Sequence, residues 1–330
     1  MLFKKTKKTF GLDIGNHTIK LTSLERISGN ISLNSFIIEK NKSNNFESLK
    51  AQIKNFNITK ESVNLSVGGP NVLIRYLTFP KLTNTELKNS LYFEAEKHIP
   101  FPISEVYLDS FILKDLADKK MLVLVVAAKK ALIDEKIKLI QELGLNLGVI
   151  DVDSVCLINA FNFFNREINK EPFALLNIGS QVSNLVIIDN GNPEFTRDLL
   201  FGGNIFTQAI SDKLNLSIEQ AEELKCSTKE GMEKVNPAIE QTMQNFCSEI
   251  RASFDYYESQ AHFSIKKIFI SGGGANLKGI EGILQNYLGI QVLFWPNIDN
   301  IELKEGVDRE KFNSNKNSLL ISLGLALRGL

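Results

Sequence analysis

The sequence contains few of the residues that build disulfide frameworks or metal centres. Only three cysteines and three histidines occur among 330 residues, and they show no C-x-x-C pair and no metal-ligand spacing. We therefore interpret Cys156, Cys226 and Cys247 as buried free thiols of a protein in a reducing compartment. The G-x-S-x-G stretch of a nucleophile elbow is also absent, which excludes that class of hydrolase site.

The chain has neither an excess of one charge nor a long apolar run. Thirty-eight basic residues balance 38 acidic ones, which gives no support for nucleic acid as a partner. The apolar run at 121–128 is far shorter than the roughly 20 residues of a membrane-spanning helix. We expect a cytoplasmic protein. Near the N-terminus, four lysines either lie in a solvated tail or attract the protein weakly to anionic lipid. They are Lys4, Lys5, Lys7 and Lys8.

One pattern is written twice, as GLDIGNHTIKL at 11–21 and LLNIGSQVSNL at 175–185. Each copy is an apolar run, an Asp or Asn, an apolar residue, a glycine, polar residues and then alternating apolar positions. This pattern predicts a strand, a tight glycine turn and a second strand that pairs back on the first. Because each copy opens one half of the chain, we predict a duplicated fold with a nucleotide held between two facing hairpins.

The first hairpin carries residue types that suit a phosphate tail. Asp13 can hold Mg²⁺ through its water shell, as hard cations prefer. Gly15 lets backbone N–H groups approach phosphate oxygens, and Lys20 can supply a positive charge. A turn aspartate and a surface lysine are the alternative, but the second copy of the pattern favours the binding site.

Two further features could complete such a site. Three glycines, 272–274, lie between a predicted buried strand and a helix, where a flat ligand could lie against bare backbone; their spacing is neither a dinucleotide-binding fingerprint nor a P-loop. Glu222 and Lys225 share one face of a helix that begins with a capping box at Ser217 and Gln220. They form either an exposed ion pair or contacts to ribose hydroxyls.

The length exceeds the size at which one core keeps growing, so two domains are expected. Residues 1–61 are predicted as the first part of domain one, 62–150 as an inserted β-α-β-β-α-β subdomain that docks a peptide partner in a groove beside the first domain, and 151–172 as the connection back. Residues 173–312 are predicted as domain two and 313–330 as a C-terminal segment that packs back on domain one. The predicted elements, in chain order, are strands within 9–39, a helix at 46–56, a strand at 63–67, a helix from 83, strands at 106–113 and 121–128, a helix at 131–143, a strand at 147–152, a hairpin turn at 189–191, helices at 203–214, 217–225 and 236–261, a strand at 267–271, a helix at 277–288, a polar loop at 313–317 and a helix at 318–327.

Together these features resemble the actin-like ATPase superfamily, whose α/β fold is a duplicated, ribonuclease H-like one. Four stretches further resemble the family of type IV pilus assembly protein PilM, and they span nearly the whole chain: FGLDIG at 10–15, EAEKHIPFP at 94–102, FTRD at 195–198 with FGGN at 201–204, and LGLALRG at 323–329. The second stretch is the most discriminating. The architecture, with its inserted subdomain, is also similar to that of the cell-division protein FtsA.

The resemblance implies ATP or ADP and Mg²⁺ as ligands. The implied first phosphate loop contains Asp13, Gly15, Asn16, His17 and Lys20, with Asp13 on the metal through water. The implied second loop contains Asn177, Gly179, Ser180 and Gln181, while Glu222 and Lys225 face the ribose and Gly272, Gly273 and Gly274 face the adenine.

The implied role is that of a cytoplasmic ATP-binding scaffold in the inner-membrane assembly complex of the type IV pilus. It docks the cytoplasmic N-terminal tail of the bitopic protein PilN beneath the inner membrane, beside other pilus components, and self-association is also open. The alternative is a polymerising actin-like ATPase of the FtsA type, in cell division or a related secretion system. Nucleotide-dependent filaments would distinguish the two.

One position departs from the superfamily pattern, which usually has Asp where this chain has Asn177. The amide keeps the shape but loses the charge that helps to hold Mg²⁺ and to polarise water. We expect binding to survive and hydrolysis to be weak or absent. The residue that positions the attacking water is expected to be Asp151 or Asp153.

Overall fold

The computed structural model describes residues 7–41, 47–55, 58, 61–165, 171–226, 229–261 and 263–330. Lys4 and Lys5 of the basic N-terminus lie outside these residues, as do both ends of the helix predicted at 46–56. The strands are β1 (Lys7–Ile14), β2 (Thr18–Ile27), β3 (Asn30–Lys40), β4 (Ser62–Val67), β5 (Val72–Pro80), β6 (Val106–Leu116), β7 (Lys120–Lys129), β8 (Asn146–Val152), β9 (Phe173–Ile178), β10 (Ser183–Asp189), β11 (Asn192–Leu199), β12 (Lys267–Ser271), β13 (Gln291–Phe294) and β14 (Glu302–Leu303). The helices are α1 (Glu47–Asn55), α2 (Asn84–Ala95), α3 (Lys130–Glu142), α4 (Asp153–Phe164), α5 (Gly203–Leu214), α6 (Ile218–Lys225), α7 (Lys229–Ala261), α8 (Ile280–Leu288), α9 (Arg309–Asn315) and α10 (Leu320–Leu327).

Two of the three sheets in the described ranges have the same strand order. The first sheet runs β14-β3-β2-β1-β4-β8 and the second runs β11-β10-β9-β12-β13. In each, three consecutive antiparallel strands are followed by two strands that run parallel to the first of them. Apart from the short edge strand β14, each strand of the first sheet therefore has a counterpart in the second. The predicted duplication is confirmed.

The third sheet, with strand order β5-β7-β6, lies between the two strands β4 and β8 of the first sheet in chain order. With α2 it forms what we call the insertion sheet, whose core contains Leu87, Leu91 and Val123. This unit is narrower than the predicted 62–150, because β4 pairs with β1 and β8 pairs with β4. Helix α3 also belongs elsewhere, since Ile140 packs into the core beneath the first sheet. Apolar alternation identifies a strand but not its partner, so the sequence pattern could not separate these strands.

Helix α7 begins at Lys229 and not at the predicted residue 236. Pro237 lies inside it and removes one backbone hydrogen bond. Buried Val235, Ile239 and Met243 follow one face through the proline. Burial on the second core outweighs the lost hydrogen bond, so the helix continues in the N-terminal direction.

The polar loop predicted at 313–317 is wrong, because α9 extends to Asn315 and a short 3₁₀ turn covers residues 316–318. The Asp308 carboxylate accepts a hydrogen bond from the Lys311 N–H at 2.9 Å and caps α9. Phe312 is buried and anchors this otherwise polar helix. One apolar residue in seven leaves no periodicity to detect.

Helix α10 packs closely against the first sheet and α4. A Cβ at Gly11 would lie 2.0 Å from the Ser322 carbonyl oxygen, and one at Gly324 would lie 2.0 Å from that of Cys156. The hydroxyls of Thr22 and Ser322 are 2.6 Å apart. Glycines on both surfaces thus allow backbone to approach backbone.

Among the cysteines, Cys156 and Cys247 are buried as predicted, but Cys226 is exposed.

None of the helices in the described ranges is both long enough and apolar enough to cross a lipid bilayer.

Candidate nucleotide site

The two repeated motifs form matching hairpin turns. The Gly15 N–H donates to the Thr18 carbonyl at 3.1 Å, and the Gly179 N–H donates to that of Val182 at the same distance. A Cβ would lie 2.9 Å from the Thr18 oxygen at the first turn and 2.4 Å from the Val182 oxygen at the second. Glycine is therefore required in both turns, and the predicted hairpins are confirmed.

The turns face each other across one cleft. The Asn16 amide donates to Gln181 Oε1 at 2.8 Å, and this hydrogen bond joins the tips of the two hairpins. The cleft has a volume of about 390 Å³. Its lining includes most of the residues expected from the sequence: Asp13, Gly15, Asn16, His17, Lys20, Asp153, Asn177, Gly179, Ser180, Gln181, Glu222, Lys225, Gly273 and Gly274. Asp151 and Gly272 do not line it.

Each hairpin places a pair of polar side chains in direct cross-strand register at its inner end. In the first hairpin the pair is Asp13 and Lys20, with Nζ 2.9 Å from the carboxylate. In the second it is Asn177 and Asn184, whose amide groups hydrogen-bond at 3.0 Å. The duplication keeps the positions but replaces an ion pair by two neutral amides. Of these four side chains, only Asp13 and Lys20 are charged, and both lie on the first hairpin's side of the cleft.

Asp153 is the first residue of α4 and lines the cleft. Its Oδ2 is packed so closely against Gly68 that a Cβ there would lie 2.4 Å away. Burial, followed by the nearby Asp13 carboxylate, raises the pKa of Asp153 to about 7, although a Ser66 hydrogen bond opposes the shift. This carboxyl group can therefore gain or lose a proton near neutral pH.

Asp151 occupies a different environment. Its buried carboxylate is 2.9 Å from Arg328 Nη1 near the end of the chain. Burial raises the pKa of Asp151, and the Arg328 guanidinium opposes part of that shift. Of the two aspartates considered for positioning water, Asp153 lines the cleft and Asp151 does not.

Glu222 and Lys225 belong to a partly buried hydrogen-bond network and do not form an exposed ion pair. Lys225 is only 5 % exposed, and its Nζ donates to Glu222 Oε2 at 2.6 Å, to Thr207 Oγ1 at 2.8 Å and to the Gly203 carbonyl at 3.2 Å. Burial raises the pKa of Glu222, but hydrogen bonds from Lys225 and Thr207 outweigh it, so the pKa is lowered overall. The carboxylate is held ionised at the cleft wall.

The three consecutive glycines have different environments. Gly272 has a φ of +89°, and a Cβ there would lie 2.3 Å from the Ile178 carbonyl oxygen. A Cβ at Gly274 would lie 2.5 Å from the Ile178 side chain, whereas one at Gly273 would meet nothing within 4 Å. The outer two glycines let the loop approach β9, and Gly273 leaves space open at the cleft.

Several cleft residues were not expected from the sequence, and two of them had a detectable signal. Asn184 follows Asn177 by the same interval as Lys20 follows Asp13, and it lines the cleft. Gly68 follows β4 as Gly272 follows β12, its counterpart in the duplicated fold. Comparing the two halves position by position would have identified both residues. Asp198, which contacts Gly69 and Asn184 beside the cleft, has no counterpart of this kind in the first half, although it ends the FTRD stretch at 195–198.

No set of three or more His, Cys, Asp or Glu side chains in the described ranges is placed to hold a metal ion directly. Asp13 and Asp153 are nevertheless close enough for the Asp13 charge to affect the Asp153 carboxyl group. Carboxylate oxygens suit Mg²⁺, which keeps most of its water ligands and needs few from the protein. The donor set at the cleft therefore fits a water-mediated Mg²⁺.

Residues 11–330 match the sequence model of a family described as type IV pilus assembly protein PilM. Among solved structures, the chain is similar to one of a PilM-PilN type IV pilus biogenesis complex, with 26 % identity, a TM-score of 0.85 and coverage of 97 % of this chain and 98 % of that one. It is also similar to the ethanolamine utilization protein EutJ from Carboxydothermus hydrogenoformans, at 13 % identity, a TM-score of 0.54 and coverage of 97 % and 89 %. The fold is actin-like. Because the family model covers nearly the whole sequence, the chain belongs to the type IV pilus assembly protein PilM family.

Proposed function

We propose that this protein binds ATP or ADP with Mg²⁺ and serves as a scaffold in the inner-membrane assembly complex of the type IV pilus. The observation that carries the proposal is the pair of matching glycine turns, joined by Asn16 and Gln181 across one cleft. Two bare turns that face each other can hold a polyphosphate from both sides. A single glycine turn on a surface could not do so.

The other walls of the cleft support places for the rest of the nucleotide. Lys20 supplies a cation beside the phosphates, and the open space at Gly273 receives the base. Glu222, 34 % exposed in its side chain, is the better partner for ribose hydroxyls, because Lys225 is buried and already donates three hydrogen bonds. Lys225 then acts by holding Glu222 ionised and oriented.

The metal would be held through water by Asp13, with Asp153 close by. Mg²⁺ bound there would neutralise charge on the phosphates. Asp153 is the group that could accept a proton from an attacking water, because it faces the cleft and its pKa is about 7. Asn177 adds no charge on the opposite side, so we propose slow hydrolysis.

PilN is the proposed partner, and its cytoplasmic tail the docked segment. The likeness to a solved PilM-PilN complex over 97 % of the chain supports this partner. It would place the protein at the cytoplasmic face of the inner membrane beside other pilus components. Self-association is an additional proposal.

A groove between the insertion sheet and the first sheet is the proposed docking site. Strand β6 is an edge of the insertion sheet, and Tyr107 and Phe111 on it are 47 % and 66 % exposed. Asp109 of the same strand is near enough to Asp151 of β8 to raise the pKa of that carboxyl group. An extended tail could pair with the edge of β6 that has no strand neighbour in the described part of the chain, and place side chains on its aromatic residues.

Titration calorimetry of the purified protein with Mg·ATP and Mg·ADP tests the nucleotide proposal. Saturable binding of one nucleotide per chain is expected, together with a weaker response when Mg²⁺ is omitted. Absence of binding by both nucleotides would refute the assignment of the cleft.

A further inference from the structure

Strand β11, an edge of the second sheet, presents one row of side chains to the insertion sheet. Glu194 forms an ion pair with Lys114 of β6. The next residue in the row, Thr196, lies beside the buried Tyr76 hydroxyl of β5. Asp198, at the end of the row, accepts a hydrogen bond from the backbone N–H of residue 69 at 2.6 Å. The insertion sheet is thus joined covalently to the first half and docked on the second.

Asp198 is also connected to the cleft through side-chain hydrogen bonds. The Asn184 amide donates to Asp198 Oδ1 at 2.9 Å, and the Asn177 amide donates to Asn184 Oδ1 at 3.0 Å. The three residues are direct cross-strand neighbours on β9, β10 and β11. Asn184 is only 2 % exposed. Two hydrogen bonds therefore separate the second phosphate turn from the carboxylate that holds residue 69.

The segment that Asp198 holds has the properties of a hinge. Gly68 and Gly69 follow β4 and lead into β5, the first strand of the insertion sheet. Gly69 has a φ of +79°, a conformation that other residues rarely adopt. Gly68 packs against the Asp153 carboxylate of the cleft. Contacts from both halves of the site, by Asp153 and Asp198, therefore fix the position of the segment that leads into the insertion sheet.

We propose that Asp198 is a positioning residue that couples ligand binding in the cleft to the position of the insertion sheet. This inference rests on the proposed nucleotide function. A ligand that moves the Asn177 turn also shifts Asn184 and Asp198, because the three side chains are hydrogen-bonded neighbours across the strands of the second sheet. The Gly68–Gly69 segment then follows, because its N–H is bound to the Asp198 carboxylate. Nucleotide binding in the cleft and partner docking on the insertion sheet become linked equilibria.

Asp198→Asn isolates this role with little change in shape. The carboxylate accepts from two donors at once, the Asn184 amide and the Gly69 N–H. An asparagine has one acceptor oxygen, so the Asn184 amide must either lose its hydrogen bond or reverse together with Asn177 to accept one from the new NH₂ group. In both cases the Gly69 N–H is left with at most a neutral acceptor, which forms a weaker hydrogen bond than a carboxylate does. Glu249→Gln is the matched control, because Glu249 pairs with Arg197 on the other side of the same strand.

Hydrogen–deuterium exchange of the full chain tests the coupling. Exchange is compared with and without Mg·ATP, at a concentration that calorimetry shows to saturate each variant. In the native protein and in Glu249→Gln, we expect nucleotide to change exchange in peptides covering 66–80 by about fivefold or more, the low end of typical coupling between linked sites. In Asp198→Asn that response should be clearly smaller while the turn at 177–184 still responds. Thermal melting verifies that each variant is folded.

The outcomes separate this inference from the proposed function. If no nucleotide binds, the proposed function fails and the coupling with it. If nucleotide binds to the native protein and residues 66–80 do not respond, the coupling is refuted and the nucleotide site stands. A full response in folded, saturated Asp198→Asn would show that the signal does not pass through Asp198.

Discussion

The Asn16 amide donates a hydrogen bond to Gln181 Oε1 at 2.8 Å, although the two residues are 165 positions apart. Each lies in the glycine turn of its own hairpin, and each hairpin belongs to a different sheet. This contact joins the tips of the two turns between which we propose that a phosphate tail lies. Chemistry in the cleft therefore depends on both halves of the duplicated fold, and the two turns must be perturbed separately to test it.

Gly179→Ala should destabilise the protein by about 1–3 kcal/mol, because its methyl group would overlap the Val182 carbonyl oxygen at 2.4 Å. Chemical denaturation measures the change in the free energy of unfolding. The control is Gly282→Ala in α8, where a Cβ would meet nothing within 4 Å. That replacement should stabilise by about 0.5–1 kcal/mol, since alanine is the better helix residue. Equal effects at the two positions would contradict the role of the turn.

Lys20→Ala should weaken binding of Mg·ATP by about 1.5–3 kcal/mol, the contribution of a charge-assisted contact. The loss also leaves Asp13 without its cation at 2.9 Å, which increases repulsion of the phosphates. Calorimetry measures the affinity, and Lys20→Arg should recover part of it. Lys138→Ala, on the exposed face of α3, is the control and should bind as the native protein does. Unchanged affinity in Lys20→Ala would place the phosphates elsewhere.

Hydrolysis by the native protein should be slow, well below a typical enzyme turnover of about 10 s⁻¹. Asn177→Asp should raise the rate, because it adds a carboxylate near the metal and the attacking water. Phosphate release at saturating Mg·ATP measures this. The variant also loses the hydrogen bond from Asn177 to Asn184, so its melting temperature must be recorded. Ordinary turnover in the native protein that is abolished by Asp153→Asn would show that the neutral amide does not limit catalysis.

Asp153 should make the ligand-free protein less stable as pH rises. Its pKa is about 7 when folded, against an ordinary pKa of 3.8 for an aspartate, so the folded state holds the proton more tightly. The stabilisation is present below about pH 4 and is lost as pH rises to 7, by up to about 4 kcal/mol. Urea denaturation at several pH values should show this slope in the native protein and a smaller one in Asp153→Asn. Parallel pH profiles would mean that Asp153 is ionised throughout.

Phe111→Ser should weaken capture of a peptide that carries the cytoplasmic tail of the PilN protein from the same genome. The side chain is 66 % exposed on β6, and loss of such an aromatic contact costs about 2 kcal/mol where it is central to an interface. Phe263→Ser is the control, with 60 % exposure in the second half. Fluorescence anisotropy gives both affinities. Equal binding by the two variants would move the docking site away from β6. Deletion of 62–150 is unsuitable, because it removes β4 and β8 from the first sheet.

Local patterns were sufficient for the two hairpins and for most of the cleft. A glycine between an apolar strand and an alternating one has few conformations available, so Gly15 and Gly179 predict their turns directly. The Asn190–Gly191 turn is a similar case, with both residues at positive φ as a tight hairpin requires. The capping box at Ser217 and Gln220 likewise marks the start of α6. These features depend on neighbours within a few residues.

Partner choice between distant segments was decided only by the tertiary structure. Nothing in the alternation of β4 or β8 shows that they pair within the first sheet, because a period of two reports a strand and not its neighbour. Asp151 and Asp153 are two residues apart, yet only the approach of Arg328 and Gly68 makes one a buried ion pair and the other a cleft carboxylate. The pKa of Asp153 and the Asp198 link arise in the same way, because burial and hydrogen-bond partners come from segments far away in sequence.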